Sequence, residues 1–239
     1  MSSIKVKRIE TKYFVKDVDL TSIINVLSAY MILDKNCITG KPYSLSSLYF
    51  DDITDSDLRE KLNGVIHRKK YRLRFYNENF KSGKFEIKRK SGPTISKSSI
   101  AVKDNNISEI ISGKYTCLFG YDCDFEVQSL VLGHYRPKSI VTYDRLAFFL
   151  PYNQIRVTLD MNLRTHGYSF NLHNHLNKGI SINPEGHQII EIKFTDMLPE
   201  KILDELSKFT VARTAISKYA SSRLFSIEEN HLDLPYFAW

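Results

Sequence analysis

No stretch of this chain approaches the roughly 18 consecutive apolar residues that a helix needs to cross a bilayer, so nothing in it reads as a membrane span. Cysteine is scarce: Cys37, Cys117 and Cys123 are odd in number and lack the paired CxxC spacing of a zinc site. That argues against a disulfide framework and fits inert thiols in a reducing compartment. The amino terminus, MSSIKVKRIETKY, has no apolar h-region, so no secretory signal is expected and the reading is cytosolic. Internal repeats, low-complexity tracts and linker compositions are missing too, and 239 residues fit one large domain over 1–239. What the chain does have is positive charge: 34 Lys+Arg against 27 Asp+Glu, a formal +7. Such a balance points to a polyanionic partner, and the placement of the charge decides which one.

Placement follows from periodicity. Alternation predicts strands over 5–15, 43–51, 65–76, 83–90, 94–102, 136–149, 154–165 and 187–195. Gly92-Pro93 reads as a turn, and Pro151-Tyr152-Asn153 as a hairpin tip. Helical spacing predicts helices over 20–31, 54–63, 104–112, 122–133, 199–209 and 217–226. Asp19 is expected to cap the first, Thr54 the second, and Pro199 to open the fifth at an N1-like position. The polar segment 166–186 has no clear period and reads as a loop. Eight strands with several amphipathic helices favour an α+β fold: an eight-stranded antiparallel barrel or closed sandwich, with helices packed outside.

Read with period 2, the strands carry a recurring charged face. Arg8, Glu10 and Lys12 share one; so do Arg72 and Arg74; Glu86, Lys88 and Lys90; Tyr143 and Arg145; Arg156 and Asp160; Glu191 and Lys193. A solvated outer face is the plain explanation for any single strand. Two features oppose it: arginine, suited to bidentate phosphate contacts, is prominent, and the helices need the apolar faces for cover. The charged faces are therefore expected to line a lumen. Two like charges about 6 Å apart repel by roughly 2 to 3 kcal/mol at an effective dielectric near 20, so such a lumen calls for an anion. Hard oxygen ligands such as Glu10 and Glu191 suit Mg²⁺ or Mn²⁺.

The ordered set RIETKY (8–13), SLYFDD (47–52), EKLNG (60–64), RKKYRLRFY (68–76), FEIKRK (85–90), YDR (143–145), RVTLD (156–160), IIEIKF (189–194) and SKY (217–219) resembles the VTC domain. That is the catalytic domain of vacuolar transporter chaperone polyphosphate polymerases, within the CYTH-like triphosphate tunnel metalloenzyme superfamily. The resemblance implies an eight-stranded antiparallel tunnel barrel and transfer of the γ-phosphate of ATP to a growing polyphosphate chain. It implies that Lys12, Arg72, Arg74, Lys88, Arg145, Arg156 and Lys218 grip the phosphates, with Lys97, Tyr143 and Lys193 as weaker candidates. Glu191 would be the main metal ligand for Mn²⁺ or Mg²⁺, with Glu10 as a second ligand or a brace for the cations. Many tunnel triphosphatases begin ExExK; here Arg8 replaces the first glutamate, as in the VTC branch, which favours polymerase over hydrolase. Family polymerases can pass their product through a membrane component. Translocation by this chain would need a membrane protein in trans, which would hold it at the inner face of a membrane.

Three other functions compete: a tunnel triphosphatase acting on nucleoside, thiamine or inorganic triphosphate; a noncatalytic polyphosphate or nucleotide binder; and a nucleic-acid-binding protein. The last ranks lowest, because the cations alternate on strands instead of lining a helix or an exposed groove. His166, His173, His175 and His187 read as solvated or hydrogen-bonded rather than as metal ligands. The tail LPYFAW (234–239) reads as a packing strap. No Ser/His/Asp or Cys/His constellation is evident.

Overall fold

In a computed structural model, residues 9–37, 40–92, 94–151, 154–166, 179–195 and 197–229 are described. The eight expected strands are all present: β1 (Ile9–Lys16), β3 (Tyr43–Asp51), β4 (His67–Tyr76), β5 (Ser82–Ser91), β6 (Thr94–Lys103), β7 (Arg136–Leu150), β8 (Ile155–Thr165) and β10 (His187–Phe194). Three short ones join them: β2 (Ile32–Leu33), β9 (Ile180–Ser181) and β11 (Thr210–Arg213). The helices are α1 (Leu20–Tyr30), α2 (Ser56–Leu62), α3 (Asn105–Ile111), α4 (Asp124–Leu132), α5 (Glu200–Ser207) and α6 (Lys218–Glu229). The fold is thus α+β around one antiparallel sheet, ordered β11-β1-β10-β8-β7-β3-β4-β5-β6, with β2 on β7 and β9 on β8.

The closed barrel expected from the sequence is not what the backbone forms. Among the described residues no ladder joins β6 to β11, so the sheet stays open. It is nevertheless strongly curled: Lys88 on β5 reaches Glu10 on β1, far along the strand order, at 3.3 Å. Side chains, not backbone pairs, bring its two arms together.

The outer face is apolar, as alternation requires. On one arm Ile23 and Leu27 of α1 and Ile202 and Leu206 of α5 pack with Val15, Phe148, Val157, Leu159 and Ile190. On the other, Ile107 and Ile110 of α3 and Val127 and Leu130 of α4 pack with Tyr71, Leu73, Phe75, Phe85 and Ile87. Each such side chain contributes roughly 1.5–3 kcal/mol when fully buried, and together they hold the sheet in its curl.

The sixth helix departs from the expected outside position. Tyr219 stacks on the inner-face Tyr49 at 5.4 Å, and Ser222 Oγ lies 2.5 Å from Thr165 Oγ1. With Ser222 and Arg223 buried, α6 has a polar buried side that matches the polar inner face. Helix starts differ as well. Asp19 occupies the N-cap of α1 without a side-chain cap bond, and Pro199 sits at the N-cap of α5 instead of N1. Thr54 does not cap α2: Asp51 accepts from the Asp57 and Leu58 amides, and Asp52 from those of Thr54 and Ser56. The β7–β8 hairpin forms as read, pairing Leu150 with Ile155. Arg8, His173, His175 and the LPYFAW tail lie outside the described residues.

Candidate functional site

Ladder register decides which side chains share the inner face, because cross-strand partners point the same way. Lys12 pairs with Glu191 and Glu10 with Lys193; Lys193 in turn pairs with Arg156. Arg145 pairs with Asp160, Arg72 with Glu86, and Lys88 with Lys97. Tyr49 and Ser47 of the central strand β3 face Arg72 and Arg74, while Leu45 faces Tyr143. Every strand-borne cation and carboxylate expected at the site therefore lies on one side of the sheet, and Lys218 of α6 reaches the same side through Asp160.

Carboxylates gather these cations into groups. Glu86, 1% exposed, accepts from Arg72 Nε at 2.6 Å, lies 3.6 Å from Arg74 Nη1 and also pairs with Lys97. Burial alone would raise its carboxyl, but Arg72, Arg74 and Lys97 outweigh that and hold it well below the usual carboxylate range. Asp160, fully buried, accepts both arms of Arg145 at 2.6 and 2.7 Å and Lys218 Nζ at 2.7 Å. Its carboxyl is depressed against burial by Arg145 and then Lys218.

The third group joins β1, β5 and β10. Glu10 meets Lys12 at 3.4 Å and Lys88 at 3.3 Å, and Glu191 meets Lys193 at 2.5 Å. Burial opposes charge on Glu191 too, yet Lys193, Lys12, Arg145 and Lys218 keep it well below its ordinary value. Tyr143 links the groups: its ring lies 4.8 Å from Lys218 Nζ and 5.3 Å from the Arg145 guanidinium, and its hydroxyl 3.4 Å from Arg74 Nη2. Burial would raise the phenol, but Arg145, Arg74 and Lys218 lower it.

The cations are therefore braced by protein carboxylates, which relieves part of the repulsion that an empty lumen was expected to suffer. They still outnumber those carboxylates. The inner face also holds buried polar atoms without a protein partner among the described residues: Arg74 Nε, Ser47 Oγ and Thr158 Oγ1. An unsatisfied buried donor costs about 1–3 kcal/mol, so these atoms favour an oxygen-rich guest.

Arg156 stands apart. It shares the face by register, yet its Nη2 lies 2.9 Å from Asp34 Oδ2 and its side chain is 38% exposed. Asp34 directly follows the two-residue β2, whose pairing to β7 brings it to the rim. Sequence reading missed three participants as site residues: Lys70, Glu86 and Asp160. Each lies two residues from a named arginine or lysine or in a noted charged face, so strand parity alone could have included them. Parity does not reveal which charges on different strands meet. His166 and His187 are hydrogen-bonded, to Thr142 Oγ1 at 3.1 Å and Glu185 O at 2.7 Å. All three cysteines are free, and burial raises each thiol.

The VTC domain family profile matches residues 7–226. The chain belongs to the VTC domain family. No curated protein matches this VTC domain significantly. Among solved structures, a proposed adenylate cyclase from Bacillus halodurans matches at TM-score 0.51 and 14% identity, over 87% of this chain and 89% of that one. The PH1819 protein from Pyrococcus horikoshii matches at TM-score 0.46 and 13% identity, over 94% and 99%. At such identities the likeness concerns the fold. Among the described residues of this VTC domain no helix is long and apolar enough to cross a membrane.

A divalent metal is the cofactor that the family implies, and the donor set accommodates one in part. Among the described residues no cluster of three or more carboxylate, histidine or cysteine side chains is poised as a ligand set. Glu10 and Glu191 stand diagonally on adjacent strands, near enough for the Glu191 charge to push the Glu10 carboxyl up. Two carboxylates with phosphate oxygens and waters are the usual set for Mg²⁺.

Proposed function

We propose that this VTC domain is a polyphosphate polymerase that transfers the γ-phosphate of ATP to a growing polyphosphate chain. The observation that carries the reading is the run of cations along one inner face, with buried donors at Arg74, Ser47 and Thr158 lacking protein partners among the described residues. A single phosphate would use a fraction of that face, whereas a chain of phosphates would engage cations on both arms.

In this reading Arg72 and Arg74 on β4, Lys88 on β5 and Lys97 on β6 hold one end of the phosphate chain. Arg145, Lys218, Lys12 and Lys193 hold the other, and Arg156 takes phosphates at the rim. Each cation now rests on a carboxylate, so binding exchanges one oxyanion for another within the same hydrogen-bond geometry. Glu10 and Glu191 would hold Mn²⁺ or Mg²⁺, which when bound supplies charge neutralisation at the transferring phosphoryl group. Positioning and charge compensation then do the chemistry, as a loose phosphoryl-transfer transition state requires. The acceptor terminus is already an oxyanion, so no side-chain nucleophile is needed. The inner wall lowers the repulsion between donor and acceptor.

The test is incubation with ATP and Mn²⁺, with polyphosphate, ADP and free phosphate measured separately. Polymer and ADP in step support the polymerase; free phosphate without polymer makes this a tunnel triphosphatase and overturns the proposal. A preparation that binds tripolyphosphate but releases neither product would be a binder only. Attachment to a membrane protein in trans is a separate proposal, checked by co-purification from detergent extracts.

A further inference from the structure

Lys70 lies one alternation before Arg72 on β4, so it shares the inner face, directly opposite Lys88 on β5. Opposed residues in an antiparallel pair have Cβ atoms about 4.5–5.5 Å apart, which sets two lysines side by side. The nearby carboxylate is already engaged: Glu10 turns one oxygen to Lys12 and the other to Lys88. Among the described residues Lys70 has no carboxylate within ion-pair distance. Its Nζ instead donates to Ser217 Oγ at 2.5 Å, the hydroxyl that also caps α6 by accepting from the Ala220 amide at 3.3 Å.

The groups facing it are Lys12 from β1, Lys88 from β5, Lys61 from α2 and Arg68 from its own strand, with the Tyr219 ring of α6 at 5.9 Å. The charges that act most strongly on this amine are all positive. Burial, then the Lys12, Lys88, Lys61 and Arg68 charges, push it well below the ordinary lysine range. The side chain is half-buried on the inner face, the face that carries the phosphate-gripping cations.

We propose that Lys70 meets an incoming phosphate chain as a neutral amine and takes up one solvent proton as that chain seats, so that anion binding and protonation are one linked event. The inference rests on the inner face being a polyphosphate site. The amine lone pair accepts the proton, and the resulting ammonium donates to a phosphate oxygen whose charge replaces the missing carboxylate. Before binding, the uncharged amine spares the wall one more repulsive charge; after binding, it supplies one more attractive contact. Affinity therefore strengthens as pH falls through the range in which the free protein holds Lys70 neutral.

The experiment is titration calorimetry of the whole chain with inorganic tripolyphosphate, without metal, near neutral pH in two buffers of different ionisation enthalpy. Wild type is compared with Lys70→Arg, whose guanidinium stays charged throughout; protons gained or lost by the ligand itself cancel in that comparison. Wild type is expected to take up about one proton more per bound anion than Lys70→Arg. Lys70→Met serves as a second variant, with circular dichroism to verify its fold. It loses the same proton and binds about tenfold more weakly. Equal proton counts in wild type and a folded, binding variant overturn the inference while leaving the polyphosphate reading intact. Absence of tripolyphosphate binding by wild type removes both.

Discussion

Glu86 and Asp57 are both 1% exposed, yet they place opposite demands on pH. Burial penalises charge on Glu86, but Arg72, Arg74 and Lys97 keep its folded pKa depressed. A depressed carboxyl contributes stability that is present above the ordinary range, about 4, and lost as pH falls below it. We expect Glu86→Gln to cost about 3–5 kcal/mol at neutral pH, because it leaves those cations uncompensated, and the gap from wild type to narrow on acidification. Urea unfolding at pH 7 and pH 3.5 reads this directly. For Asp57, burial and then the neighbouring Asp51 raise the carboxyl to about 8; Tyr135 OH donates to its Oδ1 at 3.0 Å, and Oδ2 has no protein partner among the described residues. That stability is present below the unfolded value and is lost as pH rises through about 8. Asp57→Asn should match wild type at about pH 4 and exceed it increasingly above that, by about 1–3 kcal/mol at pH 9; parallel pH profiles would show that Asp57 titrates normally. Neither role could be read from one-dimensional pattern. Glu86 was visible as a member of a charged face, but its partners on β4 and β6 emerge only from the ladder, and the buried surroundings of Asp57 form only when α2 packs against β4 and Tyr135 reaches it.

Among the elements, α6 carries most of what could not be foreseen. Its sequence, KYASSRLFSIEE, has a helical period, so its existence was legible, and the family resemblance put Lys218 at the phosphates, but the period itself pointed to a helix packed outside the sheet. Three hydrogen bonds from two of its residues help fix it there. Tyr219 OH donates to Asp51 Oδ2 at 2.6 Å, and Arg223 makes a two-armed contact with Asp55, 2.8 Å on each arm. Asp55 itself holds a left-handed φ of 54°, a conformation that side chains seldom adopt without being held. Because α6 brings Lys218 to Asp160, loosening the helix should reach the site. Arg223→Ala is expected to speed hydrogen exchange across 218–226 and to weaken tripolyphosphate binding severalfold, with melting lowered by about 2–4 °C for each kcal/mol lost. Unchanged affinity alongside faster exchange would show that Lys218 holds its place without the latch. The eight long strands were legible because alternation over eight or more residues is a strong signal. The pairings of β2, β9 and β11 were not, since two to four residues carry no period. Arg156 shows the consequence: its face was predicted, while its place at the rim depends on where β2 delivers Asp34.

For the molecule as a whole, the excess of positive charge on one curled face predicts strong coupling between ligand, salt and stability. Binding of polyphosphate to the native state alone should add about 2.7 kcal/mol at a hundred times its Kd, seen as a melting point that climbs with ligand concentration. Raising ionic strength should reduce both that climb and the affinity, because the Debye length shrinks from about 10 Å at 0.1 M to about 3 Å at 1 M. A salt-insensitive affinity would place binding elsewhere than on the charged wall. One feature gives this coupling a mechanical side. The two arms of the open sheet are fastened by Glu10 to Lys88, the same side chains that a metal and a phosphate would claim. Any guest that takes them undoes the fastener and must itself become the bridge between the arms. A short chain spans the seam with few contacts and a long one with many, so residence time should lengthen with every phosphate added, and growth of the chain would tighten the grip that holds it.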